Sequence, residues 1–270
     1  MKRKKFCLVL ISSIVLQLVS GCEVQTDISG KNIENSPELI IGCDEFAPYS
    51  YRDNKNNMAG IDVELAREAC RRLGYKPVFR KIRWEEKDKL LEEGEVACLW
   101  GCFSMNGRKQ KYLWAGPYLH SRQVVMVHKD SQIEDLSQLA DENVTVQAGG
   151  KAEEYFLAKE EVETRNVYAF STMSEAMAAI WDPSVGAVAG HEGALLQFMK
   201  EQPDAYRFLD RELFAVELGV AFKKKGNKIL ARALTATLSE MIQDGTTGCI
   251  VKNMGWIRIR CYRQQGGSNG

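Results

Sequence analysis

The chain has 270 residues, which is enough for one large domain or two small ones. Apolar residues make up 45% of the chain and charged residues 27%, as is ordinary for a globular protein. The formal net charge of zero lacks the basic excess of nucleic-acid-binding proteins, so we expect no nucleic-acid partner.

The first 21 residues are predicted to form a signal peptide. A positive start, Lys2 to Lys5, precedes a mostly apolar run over residues 6–19, which is shorter than the about 20 apolar residues of a membrane span. The next three residues, Ser-Gly-Cys22, resemble a bacterial lipobox, in which the cysteine carries lipid. An ordinary signal peptide with an incidental cysteine is the alternative.

Residues 22–37 are polar and predict a flexible tether. Loss of residues 1–21 would leave 32 basic and 36 acidic residues, so the mature chain is mildly acidic. No later segment is apolar enough to span a membrane. We therefore expect an extracytoplasmic protein that is anchored to the cell membrane through lipid on Cys22.

After the tether, predicted strands and helices alternate. Strands are predicted at ELIIGC, PVFRKIRW and VACLWG, with helices from Ile61 to Gly74 and at EEKDKLLEEGE. This β-α-β-α-β order favours a mostly parallel sheet covered by helices. It also predicts that the cysteines at 43, 70 and 98 are small core residues.

A second α/β unit follows the stretch YLHSRQ. Its strands are predicted at VVMV, NVTVQA, VYAF, VGAVAG, RFLD and LFAVELGVAF. Its helices are predicted at IEDLSQLA, KAEEYFLAKEE, SEAMAAIW and GALLQFMKEQ, and a long amphipathic helix, KILARALTATLSEMIQDG, ends at Gly245. Two α/β units are the economical interpretation.

No metal or cofactor is predicted. Six cysteines remain once Cys7 and Cys22 are set aside, and their spacing does not fix a disulfide pattern. Cys98 and Cys102 have three residues between them but lack a second cysteine pair or nearby histidines, so zinc is not expected.

Several motifs occur in a characteristic order: IIGCD with APYSY, then GIDVELA, Trp84, the stretch GCFSMNGRKQKYLWAGPY, VTVQAG and a terminal DGT. Together they resemble the family 3 extracytoplasmic solute-binding proteins, the amino-acid receptors of ABC importers. The resemblance covers about residues 38–256.

This resemblance implies an α/β, two-lobed, periplasmic-binding-protein-like (type II) fold with a central cleft and two hinge strands. Lobe 1 would comprise residues 38–121 plus 217–257, and lobe 2 residues 122–216. The ligand would bind in the cleft and the lobes would close on it. The basic ending, 258–270, is expected to be a disordered tail; a late frameshift is the alternative explanation.

The resemblance also implies a ligand site. Arg108 matches the arginine that grips the ligand carboxylate, because a guanidinium offers a planar fork of donors. Phe46 and Trp84 match aromatic walls, and Gly101 would offer its carbonyl. Gly150 and Lys151 lie at the start of a helix of the second unit, where free N–H groups favour an anion. Gln147, shortly before that helix, and the hydroxyl of Ser104 complete the expected set.

Two positions depart from the family pattern. Phe103 stands where many relatives have a threonine. His191 stands where the aspartate that holds the ligand ammonium is expected, and a neutral imidazole cannot act as its counter-ion. Glu192 follows directly, so either residue could face the ligand amine. These departures favour a small carboxylate-bearing solute over a standard α-amino acid as the expected ligand.

The expected function is a monomeric receptor that captures an amino acid or related carboxylate and hands it to an ABC permease, without catalysis. One alternative is a ligand-sensing module for a membrane signalling partner. The other is an enzyme similar to cyclohexadienyl dehydratases, with a general acid at Glu192 or His191. No familiar catalytic motif supports the enzyme.

Overall fold

A curled, ten-stranded mixed sheet organises the chain in the computed structural model, which describes residues 36–158, 161–255 and, for the backbone, 260–261. The predicted signal peptide, Cys22 and most of the tether and tail lie outside the described residues. The ten strands of this sheet are β1 Glu38–Cys43, β4 Lys76–Lys81, β5 Cys98–Leu99, β6 Leu113–His128, β7 Asn143–Gln147, β8 Asn166–Phe170, β9 Ala187–His191, β10 Tyr206–Phe208, β11 Phe214–Phe222 and β12 Arg260–Cys261. Two short strands, β2 Tyr51–Arg52 and β3 Met58–Ala59, pair with each other separately.

Seven α-helices in the described ranges cover this sheet. They are α1 Ile61–Leu73, α2 Lys87–Glu92, α3 Lys151–Ala158, α4 Met173–Ala178, α5 Glu192–Glu201, α6 Lys228–Gln243 and α7 Thr246–Asn253. Short 3₁₀ turns lie at Trp84–Glu86, Leu136–Asp141 and Ala179–Trp181. In the described part of the chain, no helix has both the length and the apolarity to span a bilayer.

The sheet has two parallel ends joined by an antiparallel centre. Its strand order is β4-β1-β5-β11-β6-β9-β7-β8. β1 runs parallel to β4 and β5, and β7 runs parallel to β8 and β9. β6 and β11 are antiparallel to each other and connect the two ends. The predicted alternation of strands and helices is confirmed. Strand β6 is longer than predicted because it continues without a break from one end of the sheet to the other.

Helix α1 shows how the sequence directs local structure. Ile61, Leu65 and Ala69 are spaced four residues apart and are fully buried, so one face of the helix packs on the sheet. Each buried leucine or isoleucine contributes about 1.5–3 kcal/mol relative to exposure. The helix ends at Gly74, whose left-handed φ of 75° is readily available to glycine. Both predicted bounds of this helix are confirmed.

Three elements differ from their predictions. Strand β5 ends at Leu99, because the chain then turns into the cavity with Cys102 at a φ of 49°. The stretch IEDLSQLA forms a 3₁₀ helix capped by Asp135 in place of an α-helix. Helix α7 was not predicted; it starts after Gly245, whose φ of 83° ends α6 and redirects the chain.

The predicted disordered tail also differs over two residues. Arg260 and Cys261 form β12, which pairs antiparallel with His120 and Leu119 of β6. That edge of β6 is open there because β9 pairs with β6 only from Gln123 onward.

The buried cysteines behave as apolar residues. Cys43, Cys70 and Cys98 are fully buried, as the sequence predicts, and Cys102 is also buried. None of these four forms a disulfide. Burial raises the pKa of the Cys43 and Cys70 thiols to about 12, so the reactive thiolate is suppressed.

Candidate functional site

One cavity brings together most of the predicted ligand-binding residues. Nine of the ten line it, all except Glu192. The cavity lies where strands β1 and β7 end, in agreement with the rule that open α/β sheets bind ligands at the carboxyl ends of their strands. Its lining comprises Asp44, Phe46, Trp84, Gly101, Cys102, Phe103, Ser104, Arg108, Gln123, Gln147, Gly150, Lys151, Ala152, Met173, Ala189, Gly190 and His191.

Arg108 is held in the cavity wall with its guanidinium over an aromatic ring. Its side chain is only 6% exposed, and the guanidinium carbon lies 5.1 Å from the centre of the Phe103 ring. Phe103, the departure from the family pattern, is therefore a platform under the arginine. It is fixed in turn by edge-to-face contacts with Trp84 and Tyr112, at centroid distances of 4.9 and 5.3 Å.

Arg108 is paired with a carboxylate of the protein itself. Its Nε donates to Glu154 Oε1 at 3.0 Å, and its Nη2 donates to the same oxygen. Lys151 Nζ donates to the other oxygen, Oε2, at 2.9 Å. These three residues, here called the arginine group, carry two positive charges and one negative charge.

The segment that precedes α3 brings the arginine group together. Gly149 has a φ of 69°, which turns the chain from β7 into the helix. Its carbonyl accepts from Lys87 Nζ at 3.1 Å and from Arg108 Nη2 at 3.5 Å. A Cβ at Gly149 would lie 2.9 Å from Lys87 Nζ. Glycine is therefore required for this close approach.

Phe46 and Trp84 form the aromatic walls that the sequence predicts. Both are buried, at 5% and 4% exposure. Phe46 meets the His191 ring edge to face, with the centroids 5.9 Å apart. Lys87 Nζ lies 5.4 Å from the centre of the Trp84 ring. The walls thus combine apolar surface with nearby charge.

Gly101 and Ser104 lie on the loop between β5 and β6. A Cβ at Gly101 would lie 3.4 Å from Asp44 Oδ1, so glycine keeps the backbone next to that buried oxygen free of a side chain. Ser104 is buried, its Oγ donates to Asn106 Oδ1 at 3.3 Å, and its backbone bridges to Leu218 of β11. Ser104 therefore ties the loop to the centre of the sheet.

The two candidates for the ligand amine occupy different places. His191 lines the cavity, is 8% exposed, and pairs across the sheet with Gln123. Burial, together with the charge of Arg108, lowers the pKa of His191 to about 3, so the ring is neutral. Glu192 starts α5 outside the lining and forms an ion pair with Arg122 at 2.5 Å.

Three buried polar atoms that line the cavity lack a partner. Asp44 Oδ1, Gln123 Oε1 and His191 Nδ1 have no hydrogen-bond partner among the described residues. We call these three residues the unpaired group. Leaving a buried polar atom unpaired costs about 1–3 kcal/mol, so a ligand that supplies donors would recover that energy.

Asp44 is the strongest acceptor that sequence reasoning missed. Its Oδ2 accepts from Gln147 Nε2 at 2.5 Å, which links the end of β1 to the end of β7. Burial raises the pKa of Asp44 from 3.8 to about 6, against the opposing effects of Gln147 and of the lysines at 87 and 81. At neutral pH the cavity therefore presents a carboxylate with one unpaired oxygen.

Asp44 could have been found from its position, because it directly follows a buried strand whose end faces the cavity. Gln123 carries no such signal. It lies in the middle of β6, and only the curl of the sheet turns its side chain toward the cavity. Met173, at the start of α4, likewise reaches the cavity only through tertiary packing.

A second buried carboxylate, Asp62, lies behind the cavity. Its Oδ2 accepts from the Cys102 backbone N–H at 2.6 Å, which holds Cys102 in its left-handed conformation. Burial is the main cause that raises the pKa of Asp62 to about 7, and the charge of Asp44 adds to it. Asp62 thus supports the loop that lines the cavity without lining it.

No group of histidines, cysteines, aspartates and glutamates among the described residues has the geometry of a metal site. The site is built for hydrogen bonds and charge pairs from side chains.

Comparison with known proteins agrees with this geometry. The sequence profile for bacterial extracellular solute-binding proteins, family 3, matches residues 39–255. The L-cystine-binding protein TcyJ of Escherichia coli (strain K12) is 22% identical over 244 residues, covering 88% of this chain and 91% of that protein. The histidine-binding periplasmic protein of Escherichia coli (strain K12) is 27% identical over 226 residues, covering 77% and 84%.

Solved structures show the same two-lobed fold. The crystal structure of Tv2483 bound to L-arginine superposes with a TM-score of 0.76 at 26% identity, covering 84% of this chain and 93% of that one. The similarity therefore includes both ends of the sheet and the strands between them.

Proposed function

Because the chain belongs to the bacterial extracellular solute-binding proteins of family 3, we propose that its cavity captures an α-amino acid for delivery to the permease of an ABC importer. Proteins of this family act outside the cytoplasmic membrane, and so does this one. The relatives above are named for cystine and histidine, and the solved structure holds L-arginine. All three solutes carry a carboxylate and an ammonium group on one carbon.

One observation carries the proposal: the cavity holds opposite kinds of binding group. The arginine group has one positive charge in excess, which suits a carboxylate. The unpaired group offers acceptor oxygens on Asp44 and Gln123, which suit the N–H groups of an ammonium. A zwitterion satisfies both groups at once. A simple carboxylate or a simple amine satisfies only one.

The remaining part of the solute would contact the aromatic walls. Phe46 and Trp84 are suited to an apolar, aromatic or cationic side chain, because ring faces attract all three. The neutral ring of His191 adds one more hydrogen-bonding position at that wall.

Capture would work by closure of two lobes, 38–121 with 217–257 and 122–216, with β6 and β11 as the hinge strands. Arg108 would contribute from one lobe and Lys151 from the other, so the solute would bridge them. Such closure needs only a higher affinity of the closed form for solute. No chemical step is part of the proposal.

Matched pairs of solutes test this function. Thermal unfolding would be followed with L-arginine and agmatine, with L-histidine and histamine, and with L-cystine and cystamine. Agmatine and histamine each lack only the carboxylate of their partner, and cystamine lacks only the two carboxylates of cystine. At 100 times its Kd, a bound amino acid stabilises the folded state by about 2.7 kcal/mol, which raises Tm by several degrees.

We expect at least one amino acid to raise Tm and its amine to have little effect. A Tm that rises equally with the amine would show that the carboxylate does not matter. No rise with any of these amino acids, or with the other proteinogenic ones, would contradict the proposal.

We also propose that Cys22 carries lipid after removal of residues 1–21, and that the protein works as a monomer. The positive start, the short apolar run and the position of the cysteine support the lipid anchor. In a bacterial host, Cys22→Ala should move the protein from the membrane fraction to the soluble fraction. Retention in the membrane fraction would contradict the anchor. Light scattering of residues 23–270 tests the monomer.

A further inference from the structure

The donors on Arg108 that would grip a solute carboxylate are already engaged. Nε and Nη2 both donate to Glu154 Oε1, and Nη2 also lies 3.5 Å from the Gly149 carbonyl. A bidentate pair uses two neighbouring N–H groups, and both edges of a guanidinium include Nη2. A solute carboxylate cannot therefore pair bidentately with Arg108 unless one of these protein acceptors withdraws.

Glu154 is the acceptor that can withdraw. Its side chain is 45% exposed, whereas that of Arg108 is 6% exposed and lies over Phe103. Lys151 holds the second oxygen of Glu154 and is itself 20% exposed. Glu154 can therefore rotate toward solvent while it keeps Lys151. The Gly149 carbonyl belongs to the turn before α3 and also accepts from Lys87, so it is fixed.

Glu154 is ionised whenever it meets Arg108. Burial works to raise its pKa, but the charge and hydrogen bonds of Arg108, followed by those of Lys151, hold the pKa below its usual value. The contact is consequently a charge pair at neutral pH. A neutral acceptor would give way easily, but a carboxylate gives way only to another group that Arg108 binds as strongly.

We propose that Glu154 is an affinity-determining residue that competes with the solute carboxylate for Arg108. This inference rests on the function proposed above. Binding is then an exchange of carboxylates: the solute takes Arg108, and Glu154 moves to solvent with Lys151. Part of the gross attraction between solute and Arg108 is spent on breaking the protein's own pair, so Glu154 lowers the affinity.

The test is Glu154→Gln, which keeps the shape and removes the charge. Calorimetric titration of L-arginine and L-histidine should give a lower Kd than for the wild type, by roughly 5- to 150-fold, as is typical of coupled sites. The control is Glu153→Gln. Glu153 also lies in the first turn of α3, but it accepts from the Gly149 N–H and does not touch Arg108. Its Kd should match the wild type.

A second measurement needs no solute. In urea unfolding, Glu154→Gln should shift the midpoint when it is introduced into the wild type. It should not shift the midpoint when it is introduced into Arg108→Gln, because that variant already lacks the pair between Arg108 and Glu154. Equal shifts in both backgrounds would mean that the pair contributes nothing, and would overturn the proposal.

The titrations separate this proposal from the proposed function. Solute binding with an unchanged or higher Kd in Glu154→Gln would overturn the competition and leave the amino-acid site intact. Failure of both the wild type and Glu154→Gln to bind any amino acid would overturn both.

Discussion

The arginine group and the unpaired group line one cavity, yet they satisfy their polar atoms in opposite ways. In the arginine group, Glu154 accepts from both Arg108 and Lys151. In the unpaired group, Asp44, Gln123 and His191 each keep a buried atom without a partner in the described part of the chain. A ligand must therefore displace something at the first group and only fill the second. The difference indicates that binding at the arginine group exchanges one partner for another, whereas binding at the unpaired group only adds partners.

The largest expected effect comes from removing the arginine. Arg108→Met should raise the Kd of the amino acid by roughly 30- to 5,000-fold, because loss of one member of a buried charge pair costs about 2–5 kcal/mol. Lys109→Met is the matched control, since Lys109 lies one residue away, is 64% exposed and pairs with Glu217. Calorimetry on both variants decides the point. Similar Kd values for the two variants would place the solute carboxylate elsewhere.

Removing the charge of the unpaired group should weaken binding and stabilise the protein. Asp44→Asn should raise the Kd by roughly 5- to 150-fold, the loss of about 1–3 kcal/mol expected for one charged hydrogen bond. Burial raises the folded-state pKa of Asp44 to about 6, from an ordinary 3.8. The folded state therefore holds the proton more tightly than the unfolded chain, so stability is lost as the pH rises from 3.8 to about 6 and stays at the lower level above pH 6.

Thermal unfolding without solute checks the sign of that second effect. Asp44→Asn should be more stable than the wild type at pH 8 by about 1–3 kcal/mol. The difference should shrink as the pH falls from 6 toward 3.8, because only below 3.8 is the wild-type carboxyl protonated in both states. A variant that is less stable than the wild type at pH 8 would show that Asp44 Oδ1 is also paired within the protein, which contradicts the contrast between the two groups.

The other titratable member of the unpaired group should show the opposite dependence on pH. The pKa of His191 is lowered to about 3 by burial, so between pH 6.5 and 3 the unfolded chain binds a proton that the folded state excludes. The wild type therefore loses stability as the pH falls from 6.5 to 3, and His191→Gln removes this loss. The stability of the variant relative to the wild type should rise by about 1 kcal/mol for each pH unit below 6.5. Parallel pH profiles would contradict a buried neutral ring.

The smallest effect is expected beside the cavity. Glu192 pairs with Arg122 and does not line the cavity, so Glu192→Gln should leave the Kd within about twofold. A large change would transfer the role of ammonium partner from the unpaired group to Glu192. The same titrations that measure Asp44→Asn provide the comparison.

Local signals made much of the fold predictable. Helix α1 was correct at both ends because a four-residue apolar spacing and a terminal glycine are read directly from sequence. Strand β5 was predicted too long, because the chain turns at Cys102. Helix α7 was not predicted, because it depends on the turn at Gly245. Whether a backbone enters such a turn depends on contacts made by distant residues, such as Asp62 with the Cys102 N–H.

For the site, the sequence pointed to nine of the residues that line the cavity, and it did so mainly through the resemblance of its ordered motifs to a known family. It also left His191 and Glu192 as equal candidates, because residues one apart in sequence leave a strand in different directions. Only the tertiary structure decided that His191 lines the cavity, that Gln123 joins it, and that Glu154 reaches Arg108. Arg108 and Glu154 are 46 residues apart in sequence, and His191 meets Gln123 only because β9 pairs with β6, so the folding of the sheet is what brings these residues together.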